Sequence, residues 1–127
     1  MYYVSKRMEI AGAHRLNLPY ESKCENLHGH NWIVVVYCKS EELNASDMIM
    51  DFTLIKKAIH NKLDHKFIND VIPDMNPTAE NMARWICDEV NNVIADTWDR
   101  PVRMARCYKV EVQESEGNVA AYMEDEE

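Results

Sequence analysis

Cys24-Glu-Asn-Leu-His28-Gly-His30 runs directly into Asn31-Trp-Ile-Val-Val-Val-Tyr37, and this stretch decides both the fold and the chemistry. Its second half is rich in β-branched and aromatic residues, which predicts a strand over 28–39. Successive side chains of a strand point to opposite faces, so His28 and His30 project from one face as a chelating pair. Gly29, between them, removes a side chain from the opposite face. Upstream, Ala13-His14-Arg15-Leu16 ends a second strand-like segment over 2–16, imperfect in its alternation at Lys6, Arg7 and Gly12. If the two segments lie side by side, three neutral imidazoles meet. That set suits a tetrahedral zinc ion with an open fourth position, as in catalytic sites. Cys24 leaves two alternatives: a fourth ligand closing a structural site, or a nearby thiolate serving as base or nucleophile.

Outward from this stretch, residues 17–26 read as a loop, with Pro19, Ser22 and Asn26, that carries Lys23 and Cys24 towards the ligands. A polar turn over 40–47 precedes Met48-Ile-Met50. Asp51 then caps a helix starting at Phe52, whose inward stripe is Ile55, Ala58, Ile59 and Leu63. His60 falls beside that stripe and reads as solvent-facing, outside the site. A second helix follows Pro77, capped by Thr78 or Asn76, with Ala79, Met82, Ala83, Ile86, Val90, Val93 and Ile94 as its apolar face. After a break at Asp99-Arg-Pro101, Val110 and Val112 alternate with Glu111 and Gln113 in a strand over 103–114. A turn at Gly117-Asn118 leads to a last strand over 119–123. The order strand, strand, helix, helix, strand, strand is α+β: a four-stranded antiparallel sheet with two helices packed on one face.

The chain of 127 residues fits one domain, over 1–123, followed by an acidic tail over 124–127. With 14 Lys+Arg against 22 Asp+Glu, its net charge of −8 argues against nucleic-acid or membrane-surface partners. The N-terminus lacks an apolar signal region, and the apolar run 32–38 is too short to span a bilayer, so a cytoplasmic location is expected. The four cysteines are then expected to be reduced, with Cys38, Cys87 and Cys107 packed in a strand, a helix and a strand.

In this order, Ala13-His14-Arg15-Leu16, Cys24-x-x-x-His28-Gly-His30-Asn31, Leu63-Asp64-His65, Pro77-Thr-Ala-Glu-Asn81 and Val112-Gln-Glu-Ser115 resemble the 6-pyruvoyl-tetrahydropterin synthase superfamily over nearly the whole chain. The three-residue gap between Cys24 and His28 looks like the 6-carboxy-tetrahydropterin synthase branch, which acts in queuosine biosynthesis. The resemblance implies the tunnelling fold (T-fold), in which sheets from several subunits join into a barrel, commonly a homohexamer of two trimers with the site at an interface. It implies zinc on His14, His28 and His30, and a small-molecule pterin substrate, 7,8-dihydroneopterin triphosphate. Cys24 with Asp64 and His65 would transfer protons. Taken alone, Asp64-His65 is a weak helix-end signal, and Glu114 an exposed strand-end carboxylate. A carboxylate does, however, accept two parallel N–H bonds, matching a pterin's ring N–H and exocyclic amine. The resemblance assigns that anchoring to Glu114.

A polyanionic substrate calls for local cations, and Arg15, Lys23 and Lys66 stand near the motifs. The first motif departs from the family in having Ile10-Ala-Gly-Ala13 where phenylalanine usually leads. The expected activity is carbon–carbon cleavage to 6-carboxy-5,6,7,8-tetrahydropterin with release of acetaldehyde and triphosphate. The alternatives are 6-pyruvoyl-tetrahydropterin formation, an aldolase-like cleavage using Glu25, and a non-catalytic zinc-stabilised interaction module.

Overall fold

The computed structural model describes residues 1–72, 74–97 and 105–124. Strands β1 (Tyr2–His14) and β2 (His28–Ser40) pair antiparallel along their whole lengths, from Tyr2 opposite Ser40 to His14 opposite His28. The expected first strand thus ends at His14, two residues early. β2 pairs in turn with β4 (Arg106–Ser115), and β4 with β5 (Asn118–Met123), both antiparallel. The β4–β5 turn contains Gly117 at φ 84, a left-handed conformation that glycine adopts without strain. The break at Asp99-Arg-Pro101 and the start of the strand at Arg103 fall outside the described residues.

The sheet corrects one expectation: among the described residues it has five strands, in the order β3-β1-β2-β4-β5, and it is mixed. The extra strand, β3 (Lys66–Phe67), runs parallel to β1, with Lys66 opposite Gly12 and Phe67 opposite Ala13. Two residues are too few to show an alternation in sequence. The strand forms because His65 takes φ 58 at the end of the preceding helix and sends the chain back along β1, its N–H donating to the Ala11 carbonyl at 2.6 Å.

Helix α1 spans residues 52–63. It begins as Phe52–Ile55, capped by Asp51, whose carboxylate accepts from the Thr53 N–H and Oγ1, both at 2.9 Å. It then widens into a π turn over Lys56–His60 and closes as Asn61–Leu63. A short helix α2 (Ile68–Val71) follows. Helix α3 (Ala79–Asp96) is capped by Thr78, whose hydroxyl accepts from the Asn81 N–H at 3.2 Å.

Ile55, Ala58, Ile59 and Leu63 of α1 and Met82, Ile86 and Val90 of α3 are buried against Met8, Ile10, Trp32, Val34, Val36, Val110 and Val112 of the sheet. Both helices therefore cover one face, as their apolar stripes require. Cys38, Cys87 and Cys107 are fully buried. A hydrogen bond to Cys107, reinforced by burial, pushes the Cys87 thiol up, and a bond with Cys38 pushes Cys107 up, so these thiols stay protonated and pack. Glu124, placed by sequence at the start of the acidic tail, donates its N–H to the Tyr108 carbonyl at 3.0 Å, and its carboxylate accepts from Asn91 Nδ2 at 3.3 Å.

Candidate metal centre and active site

Strand register builds the site. Ile10 lies opposite Trp32, Gly12 opposite His30 and His14 opposite His28, so the imidazoles occupy the core-facing positions just beyond the last apolar pair. Where the hydrophobic stripe of the sheet stops, a stripe of histidine begins. The rings cluster edge to face, with centroids 4.5 Å apart for His14 and His28, 5.2 Å for His14 and His30, and 4.8 Å for His28 and His30. Trp32, fully buried, backs them, its ring 5.0 Å from His14 and 5.3 Å from His30.

Two of the rings are oriented by carbonyls. His14 Nδ1–H donates to the Pro77 carbonyl at 2.8 Å, and His28 Nδ1–H to the Asn26 carbonyl at 2.7 Å. In the neutral ring each bond selects the tautomer whose Nε2 carries the lone pair, the arrangement that carbonyls give to metal-binding histidines. Burial, the largest influence on His14, lowers its pKa and favours the neutral ring that a metal needs. Among the described residues, His14 Nε2 and His30 Nε2 are buried without a hydrogen-bond partner. One ligand atom from each of His14, His28, His30 and Glu114 lies within 4.8 Å of the others. Buried, unsatisfied nitrogens facing a carboxylate are costly unless a cation completes them, so these residues fit a divalent metal.

Glu114 is the residue whose position sequence reasoning underread. Its Oε1 lies 3.0 Å from His30 Nε2 and 4.0 Å from His14 Nε2, beside the imidazole cluster and not merely at a strand end. The signal that could have found it is its place on the same core-facing stripe as Val110 and Val112. Cys24 does not belong to the four-residue ligand group. It sits in a 3₁₀ turn (Lys23–Glu25), whose N–H is held by Ser22 Oγ at 3.2 Å, and lines a pocket of 190 Å³ with Lys23, His28, His30 and Glu114. A second cavity of 270 Å³ opens on the other side of Glu114, between Glu80 and the β4–β5 turn.

Asp64 and His65 lie elsewhere in the chain. Asp64 Oδ1 accepts the Ala11 N–H at 2.9 Å, which puts the pair on the β3 side of β1, whereas the Cys24 pocket is bounded by β2 and β4. That backbone bond is the main cause holding the Asp64 carboxyl below the usual aspartate range. Asp64 Oδ2 faces His65 Nε2 at 3.4 Å and His60 Nε2 at 3.5 Å. His60, read from sequence as solvent-facing, thus stands beside Asp64, with its side chain 28% exposed against 82% for His65. The left-handed backbone at His65 swings its ring back to its own neighbour, which helical spacing does not suggest. Arg15, exposed, follows His14 directly, and Lys66 is exposed in β3.

A family profile described as 6-pyruvoyl tetrahydropterin synthase matches residues 3–125. The human 6-pyruvoyl tetrahydrobiopterin synthase is 35% identical, over 94% of this chain and 89% of its own length. A 6-carboxy-5,6,7,8-tetrahydropterin synthase from Synechocystis is also 35% identical, over 68% of this chain and 72% of its own. Among solved structures, a Caenorhabditis elegans 6-pyruvoyl tetrahydropterin synthase superposes with a TM-score of 0.73 at 23% identity, covering 98% of this chain and 96% of that one, which shows the shared fold.

Proposed function

The chain belongs to the 6-pyruvoyl tetrahydropterin synthase family, and from that premise we propose that it is a zinc-dependent lyase. Its substrate would be 7,8-dihydroneopterin triphosphate, cleaved to 6-carboxy-5,6,7,8-tetrahydropterin, acetaldehyde and triphosphate. Oxygen balance requires one water, since two side-chain hydroxyls must supply a carboxylate and an aldehyde. The observation that carries this proposal is the cluster of three core-facing imidazoles and a carboxylate, which shares His28, His30 and Glu114 with the pocket of the half-exposed Cys24 thiol.

His14, His28 and His30 would hold the zinc, which would supply Lewis acidity towards an oxygen of the substrate side chain. The protein's own groups do the rest. Glu114 accepts the pterin's ring N–H and exocyclic amine. Lys23, exposed at the rim of the Cys24 pocket, and Arg15 meet the triphosphate. The Cys24 thiolate accepts a proton from the side chain, and His65, oriented by Asp64, returns one. Within one chain Asp64 and His65 lie across β1 from Cys24, so this assignment places them in the site from a neighbouring subunit, in keeping with the homohexamer that the resemblance implies.

The three-residue gap between Cys24 and His28 favours carbon–carbon cleavage, and the presence of Cys24 ranks the aldolase-like cleavage lower. The match to the human enzyme over nearly the full chain favours the competing reading, elimination of triphosphate to the 6-pyruvoyl product. The deciding assay is acetaldehyde release from 7,8-dihydroneopterin triphosphate by the zinc-loaded protein, with Cys24→Ala as control. Acetaldehyde that depends on Cys24 supports the lyase; loss of triphosphate without acetaldehyde replaces it with the pyruvoyl-forming activity.

A further inference from the structure

β1 stops at His14 as a strand, yet the backbone groups of Arg15 and Asn17 are paired by two asparagine side chains in place of a neighbouring strand. Asn69 Oδ1 accepts the Arg15 N–H and Asn69 Nδ2 donates to the Arg15 carbonyl, both at 2.9 Å. Asn76 repeats the arrangement two residues on, accepting from the Asn17 N–H and donating to the Asn17 carbonyl, again at 2.9 Å. A primary amide carries one acceptor and a donor pair in the geometry of a peptide group, so each asparagine satisfies both backbone groups of one residue as a strand partner would. Arg15 and Asn17 thus turn their backbone groups to the asparagines, whereas Leu16 between them turns to the Cys24 loop. There its N–H donates to the Cys24 carbonyl at 2.7 Å.

The two amides also tie this segment to the imidazole cluster. Asn76 is itself fixed by Asn81, whose Nδ2 donates to the Asn76 carbonyl at 2.9 Å, and the next carbonyl, that of Pro77, orients His14. Asn69 binds the residue immediately after His14. The backbone that carries His14 is therefore held from one edge by asparagines and carries the Cys24 loop on its other edge.

We infer that Asn69 and Asn76 are positioning residues, which clamp residues 15–17 and through the Leu16–Cys24 bond set the thiol at the mouth of the histidine pocket. The role assigned to that thiol rests on the lyase proposal above; the clamp itself does not. Cys24 is the one thiol of the chain that is not buried, so the rate of alkylation by iodoacetamide, followed by intact mass, reads its position directly. In the zinc-loaded protein, Asn69→Ala and Asn76→Ala should each speed alkylation about two- to tenfold, the factor corresponding to one net hydrogen bond. Asn76→Asp keeps the acceptor for the Asn17 N–H but loses the donor, and should fall between wild type and Asn76→Ala.

In the acetaldehyde assay Asn69→Ala should lower kcat by a similar factor with KM within about twofold of wild type, whereas a general loss of folded protein would leave the kcat of the surviving fraction unchanged. Should Asn76→Ala fail to fold, Asn69→Ala and Asn76→Asp decide the matter. Alkylation at the wild-type rate in folded Asn69→Ala and Asn76→Asp overturns the clamp. If the wild type releases no acetaldehyde, the lyase proposal falls while the alkylation series still tests the clamp by itself.

Discussion

Gly12 sits where a single added methyl group has no room. A β-carbon there would lie 3.0 Å from the Lys66 carbonyl oxygen, 3.2 Å from Cζ3 of Trp32 and 3.4 Å from Cδ1 of Ile68. The first is backbone engaged in the β1–β3 pairing, and the second belongs to a fully buried ring. Two effects compete in Gly12→Ala. Restricting the unfolded chain stabilises by about 0.4–1 kcal/mol where the native site is unstrained. Overpacking a rigid site costs about 1–3 kcal/mol. Neither close neighbour can give way by rotating a flexible side chain, so overpacking wins, by about 1–2 kcal/mol net. For a chain of this size about 4 °C accompanies each kcal/mol, so calorimetry of the metal-free protein should show melting about 4–8 °C below wild type. Because Trp32 backs His14 and His30, zinc affinity should also fall about tenfold, as when an outer support of a metal ligand is disturbed. A melting temperature at or above that of wild type would refute the packing argument. Lower stability with unchanged zinc affinity would refute the link from Gly12 through Trp32 to the rings.

Removing zinc with a chelator should leave the far-ultraviolet dichroism intact, since the sheet and helices share a core that is complete without the ion; unfolding on chelation would favour a zinc-stabilised module. Lys23→Glu should raise KM for the triphosphate substrate about tenfold or more with kcat little changed, and an unaltered KM would remove Lys23 from the phosphate site. The Asp64 carboxyl is held below its unfolded pKa of about 3.9. Its contribution to stability is therefore full above pH 4 and disappears as pH falls through the lower folded value. Acid-unfolding curves of wild type and Asp64→Asn should accordingly converge at the acid end and separate above it. The Glu111 carboxylate, accepting a hydrogen bond from the Tyr37 hydroxyl, raises the tyrosine to about 12. Stability from that contact persists below pH 10 and is lost as pH rises towards 12; in an ultraviolet phenolate titration Glu111→Gln should return Tyr37 towards 10, and an unmoved midpoint would show that the carboxylate is not the cause.

Much of the fold was legible because its signals are local and periodic. The alternation through Trp32, Val34 and Val36, the α3 stripe from Met82 to Val90 and the caps at Asp51 and Thr78 all survive in three dimensions. The histidine set was legible for a related reason: two residues apart on a strand means one face. What stayed hidden depends on contacts distant in sequence or on unusual backbone. β3 needs a partner some fifty residues upstream. The π turn over Lys56–His60, which precedes the Asp64–His60 contact, breaks no visible rule of composition. The asparagines at 69 and 76 look like ordinary loop residues until Arg15 and Asn17 are brought beside them.

The direct opposition of His14 and His28 across β1 and β2 makes the site a gauge of strand alignment. Sliding one strand by a single residue turns His14 to the far face, and sliding it by two keeps the face but separates the rings by roughly 7 Å along the strand. In either misaligned hairpin the imidazoles no longer surround a common point. Only the paired alignment gathers the three rings around a common point, so any metal ion that this cluster holds would depend on the register of the two longest strands.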